Sequence, residues 1–171
     1  MAGPREVDVD LREGTRVHVR PIEPGDADRL VASYERLSDE SKRRRFFSAH
    51  PHLSPAEVER FTNVDHELRE ALIVLDAAGD LIGVGRWDRS AGTDRAEIAF
   101  VVGEEWRGRG VASLLLERLA LHAEESGIRM FVADTLWDNE PMRRVFRRSG
   151  RVTSARLEGT TVRFELALDS A

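Results

Sequence analysis

The sequence predicts an α/β (α+β) protein in which a mixed, mostly antiparallel sheet carries helices on both faces. Three strand-like apolar runs, at 71–75, 81–87 and 96–102, follow one another across short turns rich in glycine and aspartate, as in an antiparallel meander. A long helical pattern over 111–126 then leads to a strand at 130–133. Because a helix returns the chain between them, the strands at 96–102 and 130–133 are expected to pair in parallel.

The other elements follow from local signals along the chain. Residues 1–14 are charged and predict a flexible lead-in, and 15–171 then form a single domain that begins with an edge strand at 17–20. Asp26 is a candidate N-cap for the first helix, and Ser54 opens a capping box for a later one. The remaining predicted elements are a short helix at 43–47, a helix at 139–149, and strands at 152–157 and 161–168.

Composition excludes several classes of protein. Of the 171 residues, 41% are hydrophobic, and no apolar run is long enough to span a bilayer, so neither a disordered nor a membrane-bound protein is expected. The net charge of −5 argues against nucleic acid as a partner. The absence of cysteine excludes disulfides, thiolate metal sites and an acyl-cysteine intermediate. We expect a metal-free cytoplasmic protein, either a monomer or a homodimer, without an export signal in MAGPREVDVD.

The segment between the strand at 96–102 and the helix at 111–126 has the features of an anion-binding turn. Gly108 and Gly110 allow the free N–H groups of the first helical turn to approach a ligand closely. Arg107 and Arg109 add full positive charges to the partial charge of the helix terminus. The pattern therefore indicates a phosphate site. The alternative interpretation is a tight turn with two solvent-facing arginines.

Two common phosphate-binding motifs do not fit this turn. A Walker A loop, which requires Gly-Lys-Ser/Thr after four intervening residues, is absent. A dinucleotide fingerprint requires three glycines, whereas Gly108, Gly110 and Ser113 provide two of the three. The turn also follows several antiparallel strands rather than the first strand of a parallel set. Neither motif therefore identifies the phosphate ligand of this turn.

The spacing Arg107-x-x-Gly110-x-Ala112 resembles motif A of the GNAT acyltransferases. The strand directly before it and the long helix after it match that family. The segment from Asn139 to Gly150 resembles motif B, in which an asparagine opens a helix that ends in glycine. The resemblance covers roughly residues 15–166, and it implies the GNAT fold.

Five further segments resemble the acetyltransferase domain of actinobacterial protein-lysine acetyltransferases: Arg20-Pro21-Ile22, Glu35-Arg36-Leu37-Ser38, Arg45-Phe46-Phe47, Asn63-Val64-Asp65-His66 and Arg95-Ala96-Glu97-Ile98-Ala99-Phe100. The resemblance implies an acetyl-CoA-dependent N-acetyltransferase that uses direct transfer in a ternary complex. Its implied substrate is a lysine side chain on a protein such as an acyl-CoA synthetase. Two alternatives remain open: a small-molecule amine acetyltransferase of the same fold, and a non-catalytic acyl-CoA-binding module.

The resemblance also implies a cofactor site. In the GNAT fold the strands at 96–102 and 130–133 splay apart, and the pantetheine arm of acetyl-CoA fills the gap beside Val101 and Val102. Asn139 would contact that arm or simply cap its helix, and Arg143 would approach the phosphates or belong only to a solvated helix face. The pyrophosphate is expected on the residues of the turn: Arg107, Gly108, Arg109, Gly110, Val111, Ala112 and Ser113.

Glu97 is the expected general base. It interrupts an otherwise apolar strand, and a carboxylate there could take the proton from a lysine amine, whose ordinary pKa is ~10.4. We expect it to be partly buried, which would raise its pKa. The alternative is a cross-strand salt bridge with Arg86 or Arg95. His66 is a candidate for the acceptor pocket, although a histidine in a loop is usually a surface residue.

One position departs from the family pattern. Many GNAT enzymes carry a tyrosine in the motif B helix as a general acid toward the leaving thiolate. The comparable residue here is Phe146, which has no proton to donate. Two interpretations stay open: either the thiolate leaves without a side-chain acid and takes a proton from water, or catalysis is weaker.

Overall fold

The computed structural model describes residues 5–168, which form one eight-stranded sheet with helices on both faces. The strand order is β1-β2-β3-β4-β5-β6-β8-β7. The strands are β1 (Val7–Asp10), β2 (Arg16–Pro21), β3 (Arg69–Leu75), β4 (Leu81–Arg89), β5 (Arg95–Val102), β6 (Met130–Leu136), β7 (Val152–Glu158) and β8 (Thr161–Ala167). The helices are α1 (Ala27–Glu35), α2 (Asp39–Phe46), α3 (Pro55–Thr62), α4 (Val111–Glu125) and α5 (Glu140–Arg148).

The middle of the sheet contains a seam between β5 and β6. These two strands run parallel and pair only from Arg95↔Met130 to Glu97↔Val132. On its other side β5 stays paired with β4 as far as Gly83↔Val102. The carboxyl half of β5 therefore lacks a strand partner on the β6 side. The predicted fold class, including the parallel pair and the splay, is confirmed.

Two apolar layers enclose the sheet. The layer with α4 contains Leu115, Leu119, Trp87 and other buried side chains, and the opposite layer packs Leu30 of α1 and Phe61 of α3 on the sheet. The close packing of α4 explains a glycine in β4. A Cβ atom on Gly85 would lie 2.8 Å from Cδ1 of Phe100 and 3.0 Å from Cδ1 of Leu119. A larger residue would push α4 away from the sheet.

The flexible lead-in predicted for residues 1–14 is wrong where the structure describes it. Val7–Asp10 forms β1, with Val7 opposite Val19 and Val9 opposite Val17, and Leu11 is buried in the core. The apolar–acidic alternation of VDVD is a strand pattern, and its charge obscured that pattern at the sequence level. Residues 1–4 and 169–171 of the predicted lead-in and domain lie outside the described residues.

The two helix-start predictions have different outcomes. The capping box of α3 is confirmed, since Ser54 Oγ accepts from the Glu57 N–H at 3.1 Å and Glu57 accepts from the Ser54 N–H at 2.9 Å. Asp26 makes no side-chain cap for α1. Its carboxylate instead accepts hydrogen bonds from Arg20 at 2.7 and 2.8 Å. A tertiary ion pair has taken the place of the expected local cap.

Candidate active site

A cavity of about 600 Å³ opens at the seam, where β5 and β6 separate. Side chains and backbone from β5, β6, α2, α4 and α5 line it. Most of the residues predicted for the site lie on its wall: Glu97, Val101, Val102, Arg107, Gly108, Gly110, Val111, Ala112, Ser113 and Asn139. The fold thus brings one continuous strand–turn–helix segment and the start of α5 around a single slot.

The glycine turn leaves the amino terminus of α4 accessible. Gly108 and Gly110 have φ angles of +71° and +89°, which other residues adopt only with strain. A Cβ atom at either position would meet no other atom within 4 Å, so the space above the turn is open. Gly110 is the N-cap of α4, and no side chain caps that terminus. The first-turn N–H groups are therefore available to an anion that enters the cavity.

Arg107 and Arg109 point in different directions. Arg107 lines the cavity, and its guanidinium donates to the Ser41 hydroxyl of α2. Arg109 lies outside the cavity wall, where it pairs with Glu13 at 2.6 Å and covers the Trp106 ring at 4.0 Å. Arg107 is thus placed to meet a ligand, whereas Arg109 fixes the turn against the start of the chain.

The two α5 residues also differ. Asn139 lines the cavity and caps α5, since its Oδ1 accepts from the Met142 N–H at 3.4 Å. Arg143 is not part of the cavity wall, and its Nη1 donates to the Trp137 carbonyl at 2.8 Å. Arg143 therefore holds the loop before α5, and its predicted contact with phosphates is not supported by this geometry.

Glu97 lies on the cavity wall at the start of the seam, but it is not partly buried as expected. Its side chain is 67% exposed, because the α1–α3 layer covers β5 only farther along the strand. Arg95 pairs with Glu165 at 2.9 Å and Arg86 packs on Phe61, so neither forms the alternative salt bridge. Arg163 Nη2 lies 4.0 Å from Glu97 Oε1, which is a loose contact. The carboxylate is open to solvent and to an incoming acceptor.

The structure does not bring His66 to the cavity. Its Nδ1 lies 2.7 Å from Oε1 of Glu70, a buried carboxylate that also pairs with Arg5 at 2.8 Å. Glu70 is the cross-strand partner of Trp87, whereas Glu97 is the partner of Asp88 on the opposite face of the sheet. The sheet therefore separates His66 from Glu97.

Several cavity residues escaped sequence reasoning. Thr135 of β6 lines the cavity and is 4% exposed, and its buried hydroxyl has no hydrogen-bond partner in residues 5–168. An unpaired buried hydroxyl costs free energy, so a polar group of a ligand would fit beside it. Five further arginines from separate parts of the chain also line the cavity: Arg12, Arg44, Arg45, Arg144 and Arg148. Only the excess of arginine in the composition hinted at this basic wall.

Phe146 of α5 lies on the cavity wall and is buried. Its ring packs 6.2 Å from that of Phe100 and 5.3 Å from that of Phe164, measured between centroids. The position therefore contributes apolar packing and no proton donor.

Over residues 5–168, no group of three or more His, Cys, Asp or Glu side chains is arranged to hold a metal ion. In the same residues no helix combines the length and apolarity needed to cross a bilayer.

The seam, the glycine turn and the uncapped α4 terminus agree with a family comparison. The family model described as Acetyltransferase (GNAT) domain matches residues 16–152, most of the chain. The chain belongs to the GNAT acetyltransferase family. The resemblance found from motifs A and B is confirmed, and so is the acyltransferase class that it implied.

Individual relatives show which GNAT acetyltransferases this chain resembles in sequence and structure. Acetyltransferase Pat of Mycolicibacterium smegmatis is 32% identical over 148 residues, which cover 85% of this chain and 44% of Pat. The chain thus spans less than half the length of that relative. The crystal structure of the GNAT domain of S. lividans PAT superposes with a TM-score of 0.89 at 43% identity, covering 95% of this chain and 96% of that one.

A cAMP-binding acyltransferase from Mycobacterium smegmatis has a TM-score of 0.68 at 28% identity, over 96% of this chain and 47% of that protein. These relatives place the chain close to the GNAT domains of Pat and PAT. Their coverage shows that the shared part is the acetyltransferase domain.

Proposed function

We propose that this protein transfers an acetyl group from acetyl-CoA to the side-chain amine of a lysine on a protein, with Glu97 as general base. One observation carries the proposal. A single cavity joins an uncapped, glycine-lined helix terminus to an open carboxylate along an unpaired strand margin. The likeness to PAT domains supports a protein as the acceptor, and an acyl-CoA synthetase is the proposed target class.

The residues of the slot fit the parts of acetyl-CoA. The N–H groups of the first α4 turn and Arg107 would bind the pyrophosphate. The backbone of Val101 and Val102 faces the seam without a strand partner there and would pair with the amides of the pantetheine arm. The Thr135 hydroxyl would donate to or accept from the same arm. When bound, acetyl-CoA supplies an acetyl group activated as a thioester.

Glu97 would remove the proton that prevents the acceptor amine from attacking the thioester. A lysine ammonium, with an ordinary pKa of ~10.4, has no lone pair for attack at neutral pH. The Glu97 carboxylate takes one proton from it, directly or through one water, and later releases that proton to solvent. Because the chain has no cysteine, the neutral amine attacks the thioester within a ternary complex rather than receiving the acyl group from the enzyme. The new C–N bond replaces the C–S bond, and the second proton of the amine nitrogen passes to solvent as the thiolate leaves. Catalysis then depends mainly on positioning.

The exposure of Glu97 favours a protein acceptor over a small amine. A side chain that is 67% exposed can be reached by a lysine that projects from a large partner. A small-molecule acetyltransferase would instead need walls around the carboxylate to hold its substrate. The buried Phe146 supplies no acid from α5, so the departing sulfur takes its proton from water. That feature keeps a non-catalytic acyl-CoA-binding module as the second candidate function.

Replacing Glu97 tests the proposal directly. We expect E97Q to lower kcat/KM for a lysine peptide by about 10²–10⁴-fold, the usual contribution of a general base. Affinity for acetyl-CoA and thermal stability should stay unchanged, because the side chain is exposed. The matched control is E158Q, a change at an exposed strand glutamate outside the cavity wall. Unchanged turnover at neutral pH would exclude Glu97 as the base. Binding without thiol release for any amine would support the binding module.

A further inference from the structure

A second, much smaller cavity of about 30 Å³ adjoins the large one, and we call it the annex. Arg45 and Val101 line both cavities. Arg86, Phe61 and Ser33 contribute to the rest of the annex wall. Its volume exceeds that of a single water site but is too small for a whole ligand. The annex therefore suits the terminal group of a molecule that enters through the large cavity.

Arg86 of β4 is a buried cation for which residues 5–168 provide no acidic partner. The residue is 7% exposed, and its Nη1 donates to the Phe61 carbonyl at 3.5 Å, a long hydrogen bond. Its guanidinium lies over the Phe61 ring at 4.4 Å. The nearby Asp88 carboxylate on the same sheet face is already paired with Arg69 at 2.9 Å. An aromatic face offsets only part of the cost of burying a charge.

Arg45 of α2 adds a second guanidinium to the annex. Its side chain is partly exposed at the cavity and lies 4.6 Å from the Phe46 ring. Within the described part of the chain it forms no ion pair either. Burial lowers the pKa of the Arg86 guanidinium to about 9, and the positive charge of Arg45 acts in the same direction. Arg86 is therefore cationic at neutral pH, and burial also lowers the pKa of Arg45, so two guanidinium groups share one small apolar space.

The annex lies beside the proposed site of acyl transfer. Arg86 is the cross-strand partner of Ala99, and Asp88 is the partner of Glu97. Arg86 and Glu97 are therefore diagonal neighbours on one sheet face, with Cα atoms about 7–8 Å apart. Val101, which lines both cavities, also belongs to the strand margin proposed to hold the cofactor arm. A group in the annex would be attached to one of the two molecules that meet at Glu97.

We propose that Arg86 and Arg45 bind a carboxylate that reaches the annex from the acyl-transfer site. This inference rests on the proposed acyl-transfer function. A carboxylate is planar, matches the fork of a guanidinium, and would pair with the buried Arg86 and the half-buried Arg45, neither of which forms an ion pair within the described residues. The carboxylate has two possible sources: the far end of a dicarboxylic acyl chain, such as succinyl, or an acidic side chain close to the acceptor lysine.

Two paired comparisons separate these sources. In the acyl arm, calorimetry measures the dissociation constants of succinyl-CoA and butyryl-CoA, which share the same acyl chain length and differ in the terminal carboxylate. In the acceptor arm, kcat/KM with acetyl-CoA is measured for two lysine peptides that differ by a glutamate or a glutamine beside the lysine. We expect a preference of tenfold or more for the carboxylate in one arm, the usual effect of a charged hydrogen bond.

The variants R86M and R45M should reduce that preference to about onefold. The matched control is R60M, because Arg60 also covers the Phe61 ring, at 4.9 Å, but lines neither cavity. If R86M does not fold, the wild-type ratios and R45M decide the question.

A preference in the acyl arm assigns the carboxylate to the acyl chain, and a preference in the acceptor arm assigns it to the acceptor. Equal values in both arms, or a preference that survives R86M and R45M, would overturn the proposal. Failure of the proposed function has a different signature, namely no thiol release from acetyl-CoA with either peptide.

Discussion

Two regions on the same side of the sheet hold an arginine largely out of solvent, and they treat its charge in opposite ways. At the β2 corner, Arg20 donates to both carboxylate oxygens of Asp26, which is 1% exposed. Arg29 and the Glu23 N–H add further bonds to the same carboxylate, at 3.2 and 2.8 Å. At the annex, Arg86 has aromatic neighbours and no acid within the described residues. The charge of Arg20 is thus paired with a carboxylate, whereas the charge of Arg86, which borders the cavity, is not paired within the described residues.

The two sites therefore differ in how each arginine contributes to the free energy of unfolding. A buried ion pair with all its hydrogen bonds contributes modestly in total, but breaking it leaves a buried charge and costs several kcal/mol. At the annex that cost is already present in the folded chain. We therefore expect opposite responses to mutation in the two regions.

The largest effect is expected at the closed corner. D26N should lower the free energy of unfolding by about 3–5 kcal/mol, because it strands the Arg20 guanidinium in a buried site. Urea unfolding followed by circular dichroism measures the change, with D28N at an exposed position of α1 as the control. A loss below about 1 kcal/mol would remove the contrast between the two regions.

The opposite sign is expected at the annex. R86M should raise the free energy of unfolding by about 1–2 kcal/mol, because it removes an uncompensated buried charge and keeps a side chain of similar length. The same urea experiment tests it, with R60M as the control. A large loss of stability would instead mean that Arg86 holds the fold together as Arg20 does.

A smaller effect on the free energy of unfolding is expected when a carboxylate side chain is introduced into the annex by mutation. Ser33 is buried on the annex wall, so S33D would place a carboxylate in the space shared with Arg86. We expect a gain of about 0.5–1 kcal/mol in unfolding free energy and loss of the carboxylate preference. The neutral isostere S33N should show neither effect. If S33D and S33N bind the two acyl-CoA ligands alike, the annex does not select carboxylates.

The smallest effect is a pH dependence that separates the two regions. Burial alone would raise the pKa of the Asp26 carboxyl, but hydrogen bonds from Arg20 and the Glu23 N–H outweigh it and lower the pKa. The folded state then binds fewer protons than the unfolded state below about pH 4, so this stabilisation is lost as the pH falls through the lowered pKa. As the pH is lowered from about 6 to about 3, the urea concentration at the midpoint of unfolding should fall less steeply for D26N than for the wild type. Equal slopes would contradict this assignment.

Arg86 behaves differently because its pKa of about 9 lies below that of an ordinary arginine. The guanidinium is charged in both states at neutral pH and below, so it contributes no slope in acid. Above about pH 9 the folded state releases its proton before the unfolded state does, and this contribution to stability rises with pH. R86M should therefore retain the acid slope of the wild type.

Local sequence patterns were sufficient to predict the turn at Gly108 and Gly110, because its φ angles and the helix start are encoded within a few residues. They did not predict features that depend on residues distant along the chain. Asp26 had the signal of an N-cap but pairs with Arg20 instead. The exposure of Glu97 depends on how far a separate layer of helices extends over β5, which no local pattern records.

The annex shows the same limit more strongly. Arg45 and Arg86 come from α2 and β4 and meet only after the sheet and helices have packed. From the sequence, Arg86 was expected only as an alternative salt-bridge partner of Glu97, because cross-strand pairing is the interaction that a strand pattern predicts. The charge state of a buried side chain depends on all its neighbours, and those neighbours are distant along the chain.

The seam between β5 and β6 has a further consequence for self-association. Unpaired strand margins are adhesive, because their free amide and carbonyl groups can add a strand from another molecule. This protein keeps two such margins inside the sheet, one along Val101 and Val102 of β5 and the other along the facing end of β6 beyond Val132. The outer margins are β1 and β7, which carry exposed charged residues such as Asp8 and Glu158 that disfavour strand addition. These unpaired backbone groups are therefore placed where only a slender, extended molecule can reach them.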